Sequence, residues 1–278
     1  MRSKGAAIEE LELRSLLEAI HLDHHYDFRD YAMASIKRRV VQAQHHFGCE
    51  SLSALQHRVL HEPGFWPRLL PFFTVQVSEM FRDPAYFAAL RRHVIPRLRT
   101  YPSLKVWVAG CSTGEELYSL VILFREEGLE KRTLFYATDI NREALATAEA
   151  GIYDVDRLAL FTENHRSAGG KGSLSDHYTA AYGSARLDKS LRERVVFSDH
   201  SLVSDQVFAE VQLVSCRNVL IYFNRPLQDR VIGLFKESLV RDGFLGLGSR
   251  ESLRFTSQAE AFTEIAREER IYQKRPNR

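Results

Sequence analysis

Cysteine is scarce in this chain of 278 residues. Only three cysteines occur, Cys49, Cys111 and Cys216, and no two of them form a C-x-x-C pair. This number and spacing argue against a disulfide framework and against a thiolate zinc site, so we expect a reducing compartment. His21 and His25 have the i, i+4 spacing of a metal-binding pair, but no third ligand of matching geometry is evident, and we expect no metal site.

An excess of charge of one sign is also absent. The chain has 38 basic and 36 acidic residues, a formal net charge of +2, so overall charge gives no support for a nucleic-acid partner. It has no apolar run of membrane-spanning length and no signal-peptide core among its first residues, and we expect a cytoplasmic protein without direct membrane insertion. Its 45% apolar and 27% charged residues are typical of a globular chain with a substantial core.

The first 72 residues are predicted to form a helical domain. Apolar side chains there recur with the period of a helix at Leu13, Leu16, Leu17 and Ile20. The segment HEPGFWPRLLPFF, residues 61–73, contains three prolines and a glycine, a composition that interrupts helices. We therefore expect a domain boundary near it, with a helical domain over 1–72 and a second domain over 73–278.

In the second domain, predicted strands and helices alternate. LKVWVAG (104–110) and TLFYATDI (133–140) have strand composition, and each precedes an amphipathic helix, the second with Asn141 as its N-cap. This order predicts an α/β domain with a parallel sheet. The segment of residues 154–193 is too long for an ordinary connection between two elements, and its length predicts an inserted lobe. After further strands, a last helix is expected to end at Gly243.

The turn after the first strand, within WVAGCSTGEELYSL, has the features of a cofactor site. Gly110 and Gly114 have the spacing G-x-x-x-G, unlike the G-x-G-x-x-G of dinucleotide sites, and Glu115 and Glu116 would repel a phosphate. A nucleoside cofactor without phosphate, such as S-adenosylmethionine, fits these residues better. Asp139, at the end of the second strand, is placed to accept hydrogen bonds from both ribose hydroxyls.

Each of these residues also has a purely structural alternative. Ser112 with Glu115, and Thr113 with Glu116, have the spacing of capping boxes, and Asp139 precedes a helix that it could simply help to start. Together, however, the residues favour a nucleoside cofactor.

Several stretches of the chain together resemble one family, the CheR-type chemotaxis protein methyltransferases, which transfer a methyl group from S-adenosylmethionine to glutamate side chains of bacterial chemoreceptors. The matching stretches are YDFRDYAMASIKRRV (26–40), VSEMFRDPAYF (77–87), VWVAGCSTGEELYSL (106–120), YATDINREALATAEAGIY (136–153) and CRNVLIYFN (216–224). The resemblance implies a Rossmann-like S-adenosylmethionine-dependent methyltransferase sheet with a small inserted β-subdomain at about 154–193, preceded by an all-α N-terminal domain.

The resemblance also implies how the cofactor is bound. Arg82 of the MFRD stretch would pair with the carboxylate of the cofactor's methionine part, with Gln76 and Ser78 close by. Further cofactor contacts are expected from the glycine turn, the acids and the later loops: Gly110, Glu115, Asp139, Ser201, Leu202, Arg217 and Asn218. S-adenosyl-L-homocysteine would be the product.

Arg217, Asn218 and Tyr222 of the CRNVLIYF stretch would, by resemblance, form the wall where the methyl acceptor enters. Arg217 is the candidate for aiming the acceptor carboxylate, because a guanidinium fixes the orientation of a carboxylate. Tyr222 would line the methyl channel or donate a hydrogen bond to the acceptor. Arg82, Arg217 and Tyr222 are therefore the candidate catalytic residues.

Lys37, Arg38 and Arg39 match the segment that meets the acidic, helical methylation region of the receptor in the family. This partner lies in the cytoplasmic part of a chemoreceptor. Without the resemblance, a solvated basic face is the simpler interpretation. Two alternatives to a protein-glutamate methyltransferase remain open: a carboxyl methyltransferase with a different acceptor, and a module that binds the cofactor but only docks on receptors.

Overall fold

The computed structural model describes residues 4–276, with side chains from residue 9 onward. The chain divides into two compact units. One comprises the residues up to Val75 together with Tyr222–Gln228, and the other comprises Gln76–Ile221 and the residues from Asp229 on. No helix in the described part of the chain is long and apolar enough to cross a membrane.

The first unit is helical, as the sequence predicts. Its helices are α1 (Lys4–His24), α2 (Met33–His46), α3 (Leu52–His61) and α4 (Phe65–Phe73). The four predicted apolar positions of α1 are all buried, with exposures between 0% and 2%. Burial of this stripe against α3 and its neighbours stabilises helices that would be marginal in isolation.

The proline-rich segment is itself largely helical, so the prediction that it interrupts helices was wrong over Phe65–Phe73. Pro67 is the third residue of α4, where its missing N–H costs little because the first N–H groups of a helix have no partner within it. Pro71 lies deeper in the helix and removes one bond. Burial of apolar side chains offsets that loss: Phe65, Trp66, Leu69, Leu70 and Phe73.

The second unit contains a seven-stranded sheet in the order β6-β2-β1-β7-β8-β10-β9. The strands are β1 (Leu104–Ala109), β2 (Thr133–Asp139), β6 (Val195–Asp199), β7 (Val211–Cys216), β8 (Leu239–Leu247), β9 (Phe262–Ala266) and β10 (Ile271–Lys274). Strands β6, β2, β1, β7 and β8 run parallel to one another, while β10 is antiparallel to both of its neighbours, β8 and β9. This is the expected Rossmann-like sheet with an antiparallel edge.

The helices of this unit connect and cover the sheet. They are α5 (Pro84–Ala89), α6 (Ile95–Leu98), α7 (Glu115–Glu126), α8 (Arg142–Ala150), α9 (Leu158–Ser167) and α10 (Arg225–Ser238), and a π-helical stretch, Leu90–Val94, joins α5 to α6. Asn141 caps α8 as predicted, since its side chain accepts from the N–H groups of Glu143 and Ala144 at 3.0 and 3.1 Å.

The last helix ends earlier than the sequence suggests. We expected it to run to Gly243, but α10 ends at Ser238 and Gly243 lies inside β8. The pairing of β7 with β8 shifts register at this point, because Val211 pairs with Leu239 whereas Leu213 already pairs with Phe244. The extra residues bulge out of the strand, which explains why they lack a strand pattern in the sequence.

A small separate sheet lies in the predicted insertion. Its order is β3-β5-β4, formed by β3 (Ile152–Asp154), β4 (Tyr178–Ala181) and β5 (Ser184–Leu187), all antiparallel. The inserted β-subdomain is therefore present. Helix α9 lies between β3 and β4 in the chain, and its Phe161 is fully buried in the main core.

Candidate active site

The topology of the large sheet defines one crevice. The chain proceeds from β1 to β2 and β6 on one side, and then returns to β7 on the other side of β1. In such sheets, ligands bind beyond the carboxyl ends of the strands where the order reverses. Here that point lies between β1 and β7, which are followed by the GCSTGEE and CRNV stretches, respectively.

Two glycines form the turn after β1, and both have left-handed backbone conformations. Gly110 has φ 70° and Gly114 has φ 93°, values that favour glycine. A Cβ on Gly110 would lie 2.6 Å from Cγ2 of Val219, and one on Gly114 would lie 2.8 Å from Cβ of Ala148. The turn after β1 therefore packs directly against the loop that follows β7.

Asp139 is tied to the glycine turn. One carboxylate oxygen accepts from the N–H of Ser112 at 2.9 Å and the other from the N–H of Asn141, also at 2.9 Å. Burial raises the pKa of Asp139 above its ordinary value, and these backbone hydrogen bonds oppose the shift. Each oxygen retains acceptor capacity, so the carboxylate can still accept hydrogen bonds from a ligand.

The capping-box alternative for this turn is not realised. Gly114 is the N-cap of α7, and no side chain caps the helix there. The hydroxyl of Thr113 donates to Glu115 at 2.7 Å, within the first turn, and the buried hydroxyl oxygen of Ser112 has no hydrogen-bond partner. A buried polar atom without a partner is rare, and at this turn it marks a place where a ligand can supply one.

Glu115 is fully buried and paired with an arginine from the inserted subdomain. Its carboxylate lies 2.8 Å from Nη1 of Arg157, which also donates to the carbonyl of Ser78. Arg157 therefore links the cofactor turn, the subdomain and the loop before α5. No local pattern marks this residue, because its partner lies 42 positions away in the chain.

The loop that carries Arg82 is held in an unusual conformation. Its neighbours Phe81 and Asp83 have φ values of 52° and 56°, which are uncommon for residues other than glycine. The Phe81 N–H donates to the hydroxyl of Ser119 at 2.7 Å, and the Arg82 carbonyl accepts from Arg217 at 2.9 Å. Arg82 itself is half-buried and donates to the carbonyl of Val77 at 3.1 Å. Such strain is typical of functional loops.

Arg217 is buried and forms ion pairs with two more accessible acids, Asp83 and Glu116, whose side chains are 43% and 15% exposed. Its side chain is 1% exposed, and its guanidinium lies 2.7 Å from Asp83 and 3.3 Å from Glu116. It also lies over the ring of Tyr86 at 4.2 Å. Sequence reasoning assigned Arg217 to the acceptor carboxylate; in the structure its terminal nitrogens are engaged by two acids of the chain and by the Arg82 carbonyl.

Asn218 follows with φ 61°, and its backbone is fixed by a carboxylate that the sequence analysis missed. Glu251 is buried and accepts from the N–H groups of Asn218, Ile221 and Gly248 at 3.0, 3.2 and 2.6 Å. Burial raises the pKa of Glu251, and these hydrogen bonds oppose the shift. Glu251 thereby shapes the loop after β7.

The remaining predicted cofactor residues lie in loops. The loop after β6 begins beside Asp139, since the His200 N–H donates to the Asp139 carbonyl at 3.3 Å, and Ser201 and Leu202 follow directly. The hydroxyl of Ser201 accepts from two N–H groups of its own turn, and Leu202 is buried. Gln76 is half-buried in the loop before α5.

Tyr222 and the predicted docking residues belong to the helical unit. The three basic residues have different environments. Lys37 is ion-paired with Glu9, Arg38 is exposed, and Arg39 is 8% exposed with its guanidinium 4.7 Å from the centre of the Tyr222 ring. They do not form one continuous basic surface.

The residues of the crevice fit S-adenosylmethionine. The turn offers close backbone approach, an unpartnered buried hydroxyl at Ser112 and the carboxylate of Asp139, while acids stand at the N-terminus of α7 where a phosphate would need positive charge. The fold and this site define the class: an S-adenosylmethionine-dependent methyltransferase.

Residues 76–271 match the family model described as the CheR methyltransferase S-adenosylmethionine-binding domain, and residues 11–74 match its all-α domain. The chain therefore belongs to the CheR methyltransferase family. It is 56% identical to Cher3 of Pseudomonas putida, over 95% of this chain and 97% of that protein. It is also 30% identical to the chemotaxis protein methyltransferase of Salmonella typhimurium, over 67% of this chain and 64% of that protein.

The raised pKa of Asp139 predicts how cofactor binding depends on pH. The carboxylate form accepts hydrogen bonds from ribose hydroxyls and the protonated form loses this capacity, so binding favours the deprotonated state. We expect the affinity for S-adenosylhomocysteine, measured by calorimetry, to fall as pH decreases through the raised pKa. Asp139→Asn should weaken binding by about tenfold or more at neutral pH and remove this pH dependence. A wild-type affinity that stays constant down to the onset of acid unfolding would contradict the assignment.

Proposed function

We propose that this protein methylates glutamate side chains of bacterial chemoreceptors, the methyl-accepting proteins, and thereby serves adaptation in chemosensory signalling. The products would be glutamate methyl esters and S-adenosylhomocysteine. The partner is the cytoplasmic helical methylation region of a receptor, and the protein acts in the cytoplasm.

The observation that carries the proposal is the packing of two loops at the switch point of the sheet. Gly110 of the cofactor turn lies against Val219, next to Arg217 and Asn218. Arg217 and Asn218, two of the residues that the family resemblance assigns to the methyl acceptor, thus belong to a loop that adjoins the cofactor turn. Family membership and this juxtaposition support the same reaction.

The chemistry requires little acid–base catalysis. A glutamate has a reference pKa of about 4.3, so it is already a carboxylate near neutral pH and needs no general base. The cofactor supplies an activated methyl group on a sulfonium. The protein contributes by holding donor and acceptor in contact in a site screened from water.

We assign Arg82 to the carboxylate of the cofactor, because Arg82 is partly accessible and its loop is fixed by Ser119 and Arg217. Arg217, which is buried between Asp83 and Glu116, then positions the Arg82 loop and the acceptor wall rather than binding the acceptor tightly. Weak ground-state contact suits the reaction, since the acceptor carboxylate loses its charge as the ester forms. The family resemblance gives Tyr222 a role toward the methyl acceptor.

The docking surface on the helical unit centres on Arg38, because Lys37 is also exposed but ion-paired with Glu9, and Arg39 is buried. Because Arg38 is exposed, its guanidinium can pair with an acidic helix of the receptor while losing little of its hydration. A contact of this kind mainly accelerates association and weakens with salt.

The test is a reaction of the full chain with S-adenosylmethionine and cytoplasmic receptor fragments, followed by mass spectrometry of modified glutamates. The proposal expects methyl esters on specific glutamates. Modification of other carboxylates only would favour the different-acceptor alternative. Cofactor binding and receptor binding without transfer would favour the docking module.

A further inference from the structure

Helix α2 carries a buried arginine whose aromatic partner comes from a distant part of the chain. The Arg39 guanidinium lies over the ring of Tyr222 at 4.7 Å. Its Nε donates to the hydroxyl of Ser35 at 3.2 Å, and one terminal nitrogen donates to the carbonyl of Phe72 at 3.4 Å. Within the described part of the chain, no carboxylate forms an ion pair with it.

The backbone of Tyr222 is fixed in the same unit. Its carbonyl accepts from the N–H of Ala32 at 2.7 Å, and the next residue, Phe223, forms an antiparallel bridge with Tyr31. The Asn224 N–H donates to the carbonyl of Asp30 at 2.9 Å. The segment before α2 and the side chain of Arg39 thus hold Tyr222 at two points, one on the backbone and one on the ring.

A buried guanidinium without an anionic partner is costly. Burial lowers the pKa of Arg39, which reflects the loss of water around its charge. The π-face of Tyr222 and two oxygen acceptors offset part of this cost. A long apolar side chain would fill the same space without the desolvation penalty, so packing alone does not explain an arginine here.

We propose that Arg39 is a positioning residue that fixes the plane of the Tyr222 phenol, rather than a contact to the receptor. The inference rests on the proposed function, in which Tyr222 acts on the methyl acceptor. A planar guanidinium can stack on a ring and donate in fixed directions at once, which a lysine ammonium cannot do.

Neighbouring arginines provide a matched comparison. Arg39→Leu should lower kcat by about tenfold and leave both the receptor KM and the affinity for S-adenosylhomocysteine unchanged. Arg39→Lys should show a similar loss of kcat, because lysine keeps the positive charge but lacks the planar guanidinium that stacks on the ring. Arg38→Leu should instead raise the receptor KM, with an effect that shrinks as salt increases. An Arg39→Leu variant that changes KM like Arg38→Leu would overturn the inference in favour of docking.

A double-mutant cycle separates positioning from general loss of stability. In a Tyr222→Phe background no phenol hydroxyl remains to be positioned, so adding Arg39→Leu should change kcat by less than about twofold. A full additional tenfold loss in that background would show that Arg39 does not act through Tyr222.

A spectroscopic readout makes the inference testable without enzymatic turnover. In protein carrying fluorotyrosine, the Tyr222 resonance is identified by its absence in Tyr222→Phe. Because the Arg39 guanidinium lies over the Tyr222 ring, Arg39→Leu should change the chemical shift of this resonance, whereas Arg38→Leu should not. An unmoved resonance would refute the Arg39 role even if methylation is observed. A moved resonance without methylation of any acceptor would instead refute the proposed function and leave the contact standing.

Discussion

Gly110→Ala should nearly abolish cofactor binding, with a loss of at least about a hundredfold in affinity for S-adenosylhomocysteine. The left-handed backbone at φ 70° alone costs an L-residue about 1–2 kcal/mol. In addition, the new methyl group would meet Val219 at 2.6 Å, and a β-branched side chain has few rotamers into which it can move. The loop with Arg217 and Asn218 would be pushed away from the cofactor turn. Calorimetric titration measures the effect.

Gly128 offers a matched control for this prediction. It has the same φ of 70°, but a Cβ added there would meet nothing within 4 Å. Gly128→Ala should therefore show only the backbone cost in thermal unfolding, with unchanged cofactor affinity. Combining Gly110→Ala with Val219→Ala removes the clashing methyl groups and should restore much of the affinity. Equal behaviour of the two alanine variants would contradict a close approach between the two loops.

Arg217→Ala should lower the free energy of unfolding by about 2–3 kcal/mol, less than the loss of a fully buried pair would cost, because Asp83 is 43% exposed. It leaves Asp83 and Glu116 without their common cation and opens a cavity beside Tyr86. Turnover should fall by about a hundredfold in the folded fraction, because the acceptor wall that Arg217 positions would no longer hold the acceptor against the methyl donor. Cofactor affinity should fall less than turnover, whereas Arg82→Ala should mainly weaken cofactor affinity.

An exposed ion pair with the same separation as Arg217 and Asp83 provides the control. Arg142 and Asp199 are also 2.7 Å apart, but their side chains are 78% and 54% exposed. Arg142→Ala should cost less than about 1 kcal/mol, because water and salt screen such pairs. Chemical denaturation of both variants compares the two sites directly. Similar costs at the two sites would mean that the burial of Arg217 does not make its ion pairs matter more for stability than an exposed pair.

The sequence predicted the parts of the fold that follow from local patterns. The strands before Gly110 and Asp139 and the cap at Asn141 depend on neighbouring residues, and the structure contains all three features. Helix α4 was not predictable from its prolines, because Pro67 falls in the first turn and the buried face of the helix outweighs Pro71. The bulge around Gly243 depends on pairing with a distant strand, which leaves no local signal.

In the candidate site, too, residues in local motifs were predictable and residues that act through distant partners were not. Its glycines and its Asp139 carry a recognisable motif, but Arg157 and Glu251 act through partners 42 and 33 positions away, respectively. Such contacts are created only by tertiary structure.

The basic triplet, Lys37, Arg38 and Arg39, shows a further limit of prediction from sequence. Successive residues of a helix point about 100° apart, so three consecutive cations cannot all face one partner, and Arg39 is the one that turns inward.

The most direct test of the account follows the methyl group itself. The full chain is incubated with methyl-labelled S-adenosylmethionine and a cytoplasmic chemoreceptor fragment, and the labelled receptor is then treated with mild base. A glutamate methyl ester releases its label as volatile methanol, and this release is the predicted result. Label that is transferred to the receptor but withstands base, or a receptor that gains no label while the protein binds the cofactor, would contradict glutamate esterification.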